Sequence, residues 1–396
     1  MENALKIEET YLPSDTSCSQ LKTIQPFDKP IYVTRPTLPD RKEVYRKIDE
    51  IWDSKWVTNN GNQHKSLEFK LKDYLKTPNL SIFCNGTMAL QMACQALRLS
   101  GEVITTPFTF AATPHVLYWN NLKPVFCDID PETFNLDPKR IESLISPQTS
   151  AILPVHTFGY PCNIGAIQEI ADRYGIRVIY DAAHCFGVEI DNDPIGIFGD
   201  LSMFSFHATK VFHTFEGGAL TFKDTAIKER LELSKNFGFK GEESIVVPGI
   251  NGKMNEFQAA IGILMLDIIK DEIAKRRELT IIYRERLEKI DGISFNGDMP
   301  GVKHNYYNFV ITIDETKFGI NRDKLYDTLK KYNIFTRKYF YPLCSQFQCY
   351  SNYPSSSPEN LPVAEKITKS VLTLPLYGDL KPVDIHRICN IISLYS

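Results

Sequence analysis

The sequence predicts an α/β protein: a large domain built on a mostly parallel sheet, followed by a smaller α+β domain. Three observations carry that prediction. Short apolar runs at 81–84, 103–106, 124–128, 151–155, 176–180 and 201–206 alternate with helix-length stretches such as 88–99 and 164–174. Such alternation is the signature of strands joined by crossover helices. After Asn255 the alternation stops, and 257–290 reads as one long helix or two in succession. Finally, a chain of 396 residues exceeds what a single hydrophobic core usually serves. The division is expected near 255, with an arm and the large domain in 1–255 and the small domain in 256–396.

Taken in order, residues 1–30 show no periodicity and read as a loose arm. A helix begins after Pro39-Asp40: Asp40 can cap it, Glu43 stands at the third helical position, and Val44, Ile48, Ile51 and Trp52 form one apolar stripe. Leu67, Leu71, Tyr74 and Leu75 mark a second helix. Beyond the six apolar runs and the long helical stretch come a strand at 309–313, a helix at 322–332, a strand at 334–336 and a final helix after Pro382. The tract 351–362, rich in Ser and Pro, reads as a surface loop.

Composition excludes several functions. A formal charge of −3 offers no basic surface for nucleic acid. No apolar run approaches the roughly 18 residues of a membrane span, and the polar, acidic start lacks the features of a signal peptide. Nine cysteines, without a C-x-x-C pair, indicate neither a disulfide framework nor a zinc site. A cytoplasmic protein with reduced thiols is expected. His207 and His213 are six residues apart, which is not a helical i, i+4 pair, and no acidic residue completes a ligand set. No metal is expected.

In open α/β sheets, ligands gather at the carboxyl ends of the strands. Gly86-Thr87 follows the first run at a helix start, where free N–H groups and a hydroxyl make a seat for phosphate. By itself such a pair is more often only a cap. Phe110 lies just past the second run, placed to stack on a flat ring. Asp181 ends a strongly apolar strand, a costly position for a carboxylate without a cationic partner. Lys210 sits among apolar and aromatic residues in SFHATKVFHTFEGG, the setting in which a lysine loses its proton and forms Schiff bases. No G-x-G-x-x-G or P-loop is present. Phosphate seat, stacking ring, Asp and Lys together fit pyridoxal 5′-phosphate.

These residues sit within longer motifs: CNGTMALQMACQAL (84–97), PVHTFGYPCNI (154–164), VIYDAAHCFG (178–187), GDLSMFSFHATKVFHTFEGGAL (199–220), GINGKMNEFQAAIG (249–262) and YPLC (341–344). Through them the chain resembles the DegT/DnrJ/EryC1/StrS sugar aminotransferases, fold-type I pyridoxal-phosphate enzymes. The resemblance implies that Lys210 carries the cofactor and that Asp181 holds its pyridine nitrogen protonated. By the same resemblance, His184 lies beside the phenolic oxygen, Phe110 stacks on the ring, and Gly86, Thr87 and Ser205 bind the phosphate. Asn251 would reach the cofactor of a neighbouring subunit in a homodimer with shared sites. Lys253 and Tyr341 are expected on the substrate side. Lys253 replaces an Arg common in relatives and Cys344 a His, both near the substrate mouth.

The implied reaction moves an amino group from L-glutamate to a nucleotide-linked keto sugar. The lysine segment and WDSKWVTNNG (52–61) are most similar to enzymes acting at C4 of dTDP-4-dehydro-6-deoxy-D-glucose, which serve O-antigen synthesis. A 3-aminotransferase of a dTDP-3-keto-6-deoxyhexose is the alternative. Two other classes share the fold. Sugar dehydratases using pyridoxamine phosphate carry His where this chain has Lys210, and a regulatory protein that only binds the cofactor is expected to lose part of the Lys, Asp and Gly-Thr set.

Overall fold

The computed structural model describes residues 24–395, so most of the 1–30 arm lies outside the described residues. Seven strands form the central sheet, in the spatial order 79–83, 218–222, 201–205, 177–181, 149–153, 102–105 and 123–126. All run parallel except Gly218–Phe222, which is antiparallel to both neighbours. The six apolar runs are thus six of the seven strands, each within a few residues of its expected bounds. The seventh was not anticipated. It follows the lysine segment directly and pairs with the edge strand Asn79–Phe83, a partner far away in sequence.

The helices form for local reasons. Asp40 caps Arg41–Ser54 by accepting from the Lys42 and Glu43 N–H groups. Only Ile51 of its expected apolar stripe is fully buried, while Trp52 stays 72% exposed. The helix Asn62–Tyr74 buries Leu67 and Leu71. Its first N–H groups are satisfied by Glu256, whose carboxylate accepts from Gln63 at 2.7 Å and His64 at 3.2 Å. The stretch after Asn255 is one helix, Glu256–Leu287, opened by a capping box between Asn255 and Gln258.

A second, three-stranded antiparallel sheet has the order 293–295, 309–313, 371–374. The long helix packs on both halves of the chain, and its buried ion pair fastens them. Arg276 Nε donates to Glu272 at 2.6 Å, and its Nη1 donates to the carbonyls of Tyr307 and Leu376, each at 3.2 Å. Glu272 also accepts from Thr37 Oγ1 and the Gly378 N–H. A pair so fully hydrogen-bonded offsets much of its desolvation cost. The 351–362 tract contains three-ten turns and buries Ser356, so it packs more closely than a free surface loop. Among the described residues no helix is long and apolar enough to cross a membrane.

Candidate active site

A cavity of about 420 Å³ opens at the carboxyl ends of the parallel strands. Of the residues singled out from the sequence, Gly86, Thr87, Phe110, Asp181, His184, Ser205 and Lys210 all line it. One wall is a helix N-terminus. The Gly86–Ala96 helix is capped by Asn85, whose side chain accepts from the Met88 N–H at 2.8 Å. That leaves the Gly86 and Thr87 N–H groups without intrahelical acceptors.

Two glycines allow the strands to approach this helix start. A Cβ on Gly218 would stand 2.7 Å from the Gly86 backbone, and one on Gly86 would stand 3.0 Å from Ser205 Cβ. The unanticipated strand therefore supports the seat from behind.

Asp181 lies at the end of its strand, 5% exposed. Burial raises its pKa, against the opposing pull of the Ala183 N–H, the Thr113 hydroxyl and the charge of Lys210. Thr113 Oγ1 donates to Asp181 Oδ2 at 2.8 Å and pairs with Thr109 Oγ1 at 3.0 Å, while the Ala183 N–H donates to Oδ1 at 3.0 Å. A carboxylate so aimed, with burial opposing its charge, favours a cationic ligand atom.

His184 is buried and its pKa is pushed well below the usual value by burial and by Lys210. Its Nδ1 accepts the Phe158 N–H at 3.1 Å, which leaves the proton of the neutral ring on Nε2. The ring stacks on Tyr307 with centroids 4.5 Å apart. Lys210 Nζ lies 3.3 Å from the Tyr307 hydroxyl and 4.9 Å from its ring centre. Phe110 is 65% exposed at the rim, an aromatic face with no core to fill.

The opposite wall comes from the carboxyl-terminal part of the chain through Tyr307, Asn308, Tyr339 and Phe340. None of these was found from the sequence, and neither was Thr113. The repeated polar and aromatic residues of HNYYNF (304–309) were the available signal.

Three expected residues lie elsewhere. Asn251 is exposed outside the cavity and accepts from Lys253 Nζ at 2.9 Å. Lys253 stands over the Phe237 ring, and partial burial lowers its pKa. Tyr341 is half-exposed beneath Arg322 and Lys338. Cys344 is fully buried, its thiol 3.2 Å from the carbonyl of Thr109, which lines the cavity, so it stands directly behind the cavity wall. His213 is buried with Nε2 2.9 Å from the Thr37 carbonyl, and no cluster among the described residues has the makings of a metal site.

The DegT/DnrJ/EryC1/StrS aminotransferase family model matches residues 39–393, nearly the whole chain. The chain belongs to this family. It is 44% identical over 368 residues to the dTDP-4-amino-4,6-dideoxy-D-glucose transaminase of Escherichia coli, covering 92% of this chain and 98% of that protein. Identity to the Shigella dysenteriae protein of the same name is 46% over 355 residues, 89% and 96% of the two chains. Among solved structures, DesI crystallised in the presence of its TDP-sugar product superposes with a TM-score of 0.89 at 37% identity, covering 93% of this chain and 94% of DesI.

The cofactor of this aminotransferase is pyridoxal 5′-phosphate. The cavity fits it on chemistry alone. It holds an amine, a buried carboxylate for a ring nitrogen, a neutral imidazole N–H for a phenolic oxygen, and a glycine-cleared helix N-terminus for a phosphate.

Proposed function

We propose that the protein transfers the amino group of L-glutamate to C4 of dTDP-4-dehydro-6-deoxy-D-glucose, giving dTDP-4-amino-4,6-dideoxy-D-glucose for O-antigen synthesis in the cytoplasm. The observation that carries the chemistry is the meeting of Lys210, Asp181 and the Gly86-Thr87 helix start on one cavity. The choice of sugar rests on the 44% and 46% identities to transaminases of that name.

Bound pyridoxal phosphate supplies an electron sink for the pair left when a C–H bond breaks. The chain's own groups do the rest. Lys210 Nζ would hold the cofactor covalently and, when displaced by the amino donor, would serve as the base that takes the donor's Cα proton and as the acid that protonates the sugar carbon. Asp181, braced by Thr113 and Ala183, holds the proton of the ring nitrogen. His184 Nε2 donates to the phenolic oxygen, with its tautomer set by the Phe158 N–H. Phe110 covers a face of the ring, and Gly86, Thr87 and Ser205 take the phosphate.

Asn251, exposed outside the cavity, serves the site of a second copy in a homodimer, and Lys253, half-buried and donating to it, belongs to the substrate side. Tyr341 belongs to the substrate approach.

The deciding assay supplies pyridoxal phosphate, L-glutamate and either the 4-keto or the 3-keto dTDP-6-deoxyhexose, with products identified by mass and NMR. Amination at C4 is expected. Amination at C3 alone would keep the cofactor residues and replace the substrate, and a protein inert toward both would overturn the sugar assignment.

A further inference from the structure

Asn308 lines the large cavity, yet neither Oδ1 nor Nδ2 of its buried side chain has a hydrogen-bond partner. An amide left unpaired inside a protein is destabilising, so its persistence calls for a partner outside the chain. The neighbouring groups are already committed. Asn305 donates to the carbonyls of His184 and Phe186, and Tyr307 meets Lys210. Directly after Asn308 begins the strand Phe309–Ile313, locked into the second sheet by its pairing with Val371–Leu374. The backbone that carries Asn308 is therefore fixed at both sides.

Asn308 also borders a second, much smaller cavity of about 10 Å³ behind the first, shared with Thr280 and Arg284. Thr280 Oγ1 and Arg284 Nε are buried and likewise unpartnered. That volume suits one water molecule, and a buried water typically makes about three hydrogen bonds. Arg284 Nε can only donate, and Thr280 can give or take. A water there would accept from Arg284 Nε and from His304 Nε2, which is likewise buried and unpartnered, and would have a hydrogen to give to Asn308 Oδ1. An Oδ1 engaged in this way would turn the NH₂ toward the large cavity that Asn308 also lines.

We propose that Asn308 reads the substrate: its Nδ2 donates to an acceptor oxygen on the hexose of the nucleotide-linked sugar, while a buried water holds its Oδ1 from behind. This rests on the aminotransferase reading above. A neutral donor suits a hydroxyl or carbonyl oxygen of a sugar. Recognition of the carboxylates of glutamate is better served by cations.

The test uses the holoenzyme and two variants of nearly the same side-chain size, N308L and N308D. Calorimetry reads binding of dTDP-4-amino-4,6-dideoxyglucose and of dTDP alone, and stopped-flow absorbance reads the glutamate half-reaction without any sugar. Both variants should bind the amino sugar about 10-fold more weakly. Affinity for dTDP, and in the uncharged N308L the glutamate rate, should stay within twofold of wild type. N308D distinguishes the direction of the bond, because a carboxylate accepts and cannot donate.

N308D binding as tightly as wild type would overturn the donor assignment. Equal losses for dTDP and for the amino sugar, or a slowed glutamate half-reaction in N308L, would show that Asn308 does not read the hexose. Wild-type enzyme is first screened on dTDP-, UDP- and GDP-linked keto sugars. Preference for another nucleotide sugar would replace the proposed substrate but leave the Asn308 comparison intact on the preferred one. A wild type that bound none would overturn both.

Discussion

The amine of Lys210 rests against Tyr307, with Nζ 3.3 Å from the phenol oxygen and 4.9 Å from the ring centre, so a residue of the carboxyl-terminal part faces the lysine loop of the central sheet. The same ring stacks on His184 at 4.5 Å. One aromatic side chain thus contacts both groups assigned to the cofactor's reactive edge. Replacing Tyr307 with Phe keeps the stacking and deletes the hydroxyl. A fall in kcat of about 2- to 10-fold is expected, the cost of one hydrogen bond. Thermal unfolding should change little, which separates positioning from packing.

Lys210→Ala should reduce transamination by 10³-fold or more, on the order of the combined loss of nucleophile and proton carrier. Far-ultraviolet circular dichroism should match wild type. Turnover near the wild-type rate would reject Lys210 as the catalytic lysine.

Asp181→Asn separates stability from catalysis. Burial raises the folded-state pKa of this carboxyl above its unfolded value. Its ionisation therefore costs the cofactor-free fold stability as pH rises through the carboxylate range and above. At pH 7 the cofactor-free Asn variant should be as stable as wild type or more so in denaturant titrations. Turnover should drop by about 100-fold or more, because a neutral amide does not hold the ring proton.

Gly218→Ala tests the support behind the phosphate seat. The added methyl would lie 2.7 Å from the Gly86 backbone, so the helix start must move. Destabilisation of about 1–3 kcal/mol is expected from overpacking. Weaker binding of pyridoxal phosphate, followed by fluorescence titration of the cofactor-free protein, should accompany it.

Acid should weaken the fold before carboxylates titrate. Burial lowers the pKa of His64 and His156 to about 3 and of His304 to about 4. The unfolded chain takes up those protons near pH 6.5 and the folded one does not. Their stabilising contribution is complete above pH 6.5 and is lost as pH falls toward 4 for His304 and toward 3 for His64 and His156, at roughly 1.4 kcal/mol per pH unit for each histidine. Urea midpoints at pH 7 and pH 5 read this directly, and the midpoint should be clearly lower at pH 5.

Local physics made much of this legible in the sequence. The six parallel strands are continuous apolar runs because both faces are covered, and Phe309–Ile313 stands out for its apolar, β-branched run. Gly86, Asp181 and Lys210 were found because each follows such a run at the sheet rim. Gly218–Phe222 was hidden because it follows the lysine segment without a helix between, and its antiparallel pairing has no sequence period of its own. Thr113, Tyr307 and Asn308 were hidden for a different reason. Their roles depend on which side chain faces them across the cavity, and periodicity reports burial along an element, never its distant neighbours. Trp52 shows the converse, since it matches the apolar stripe of its helix yet remains 72% exposed.

The buried Arg276 has a consequence for how the cavity handles its ligands. Its guanidinium holds the backbone of Tyr307 and of Leu376 to the same helix whose first turn caps the Asn62–Tyr74 segment. Swinging the Tyr307 wall outward would leave the buried Nη1 of Arg276 without the carbonyls it donates to, while Glu272 still pairs Nε, a penalty of about 1–3 kcal/mol. A clamshell motion is thereby disfavoured. Selection among sugars must then be written into a preformed contour, and discrimination should appear in how long a ligand stays more than in how the protein bends to receive it.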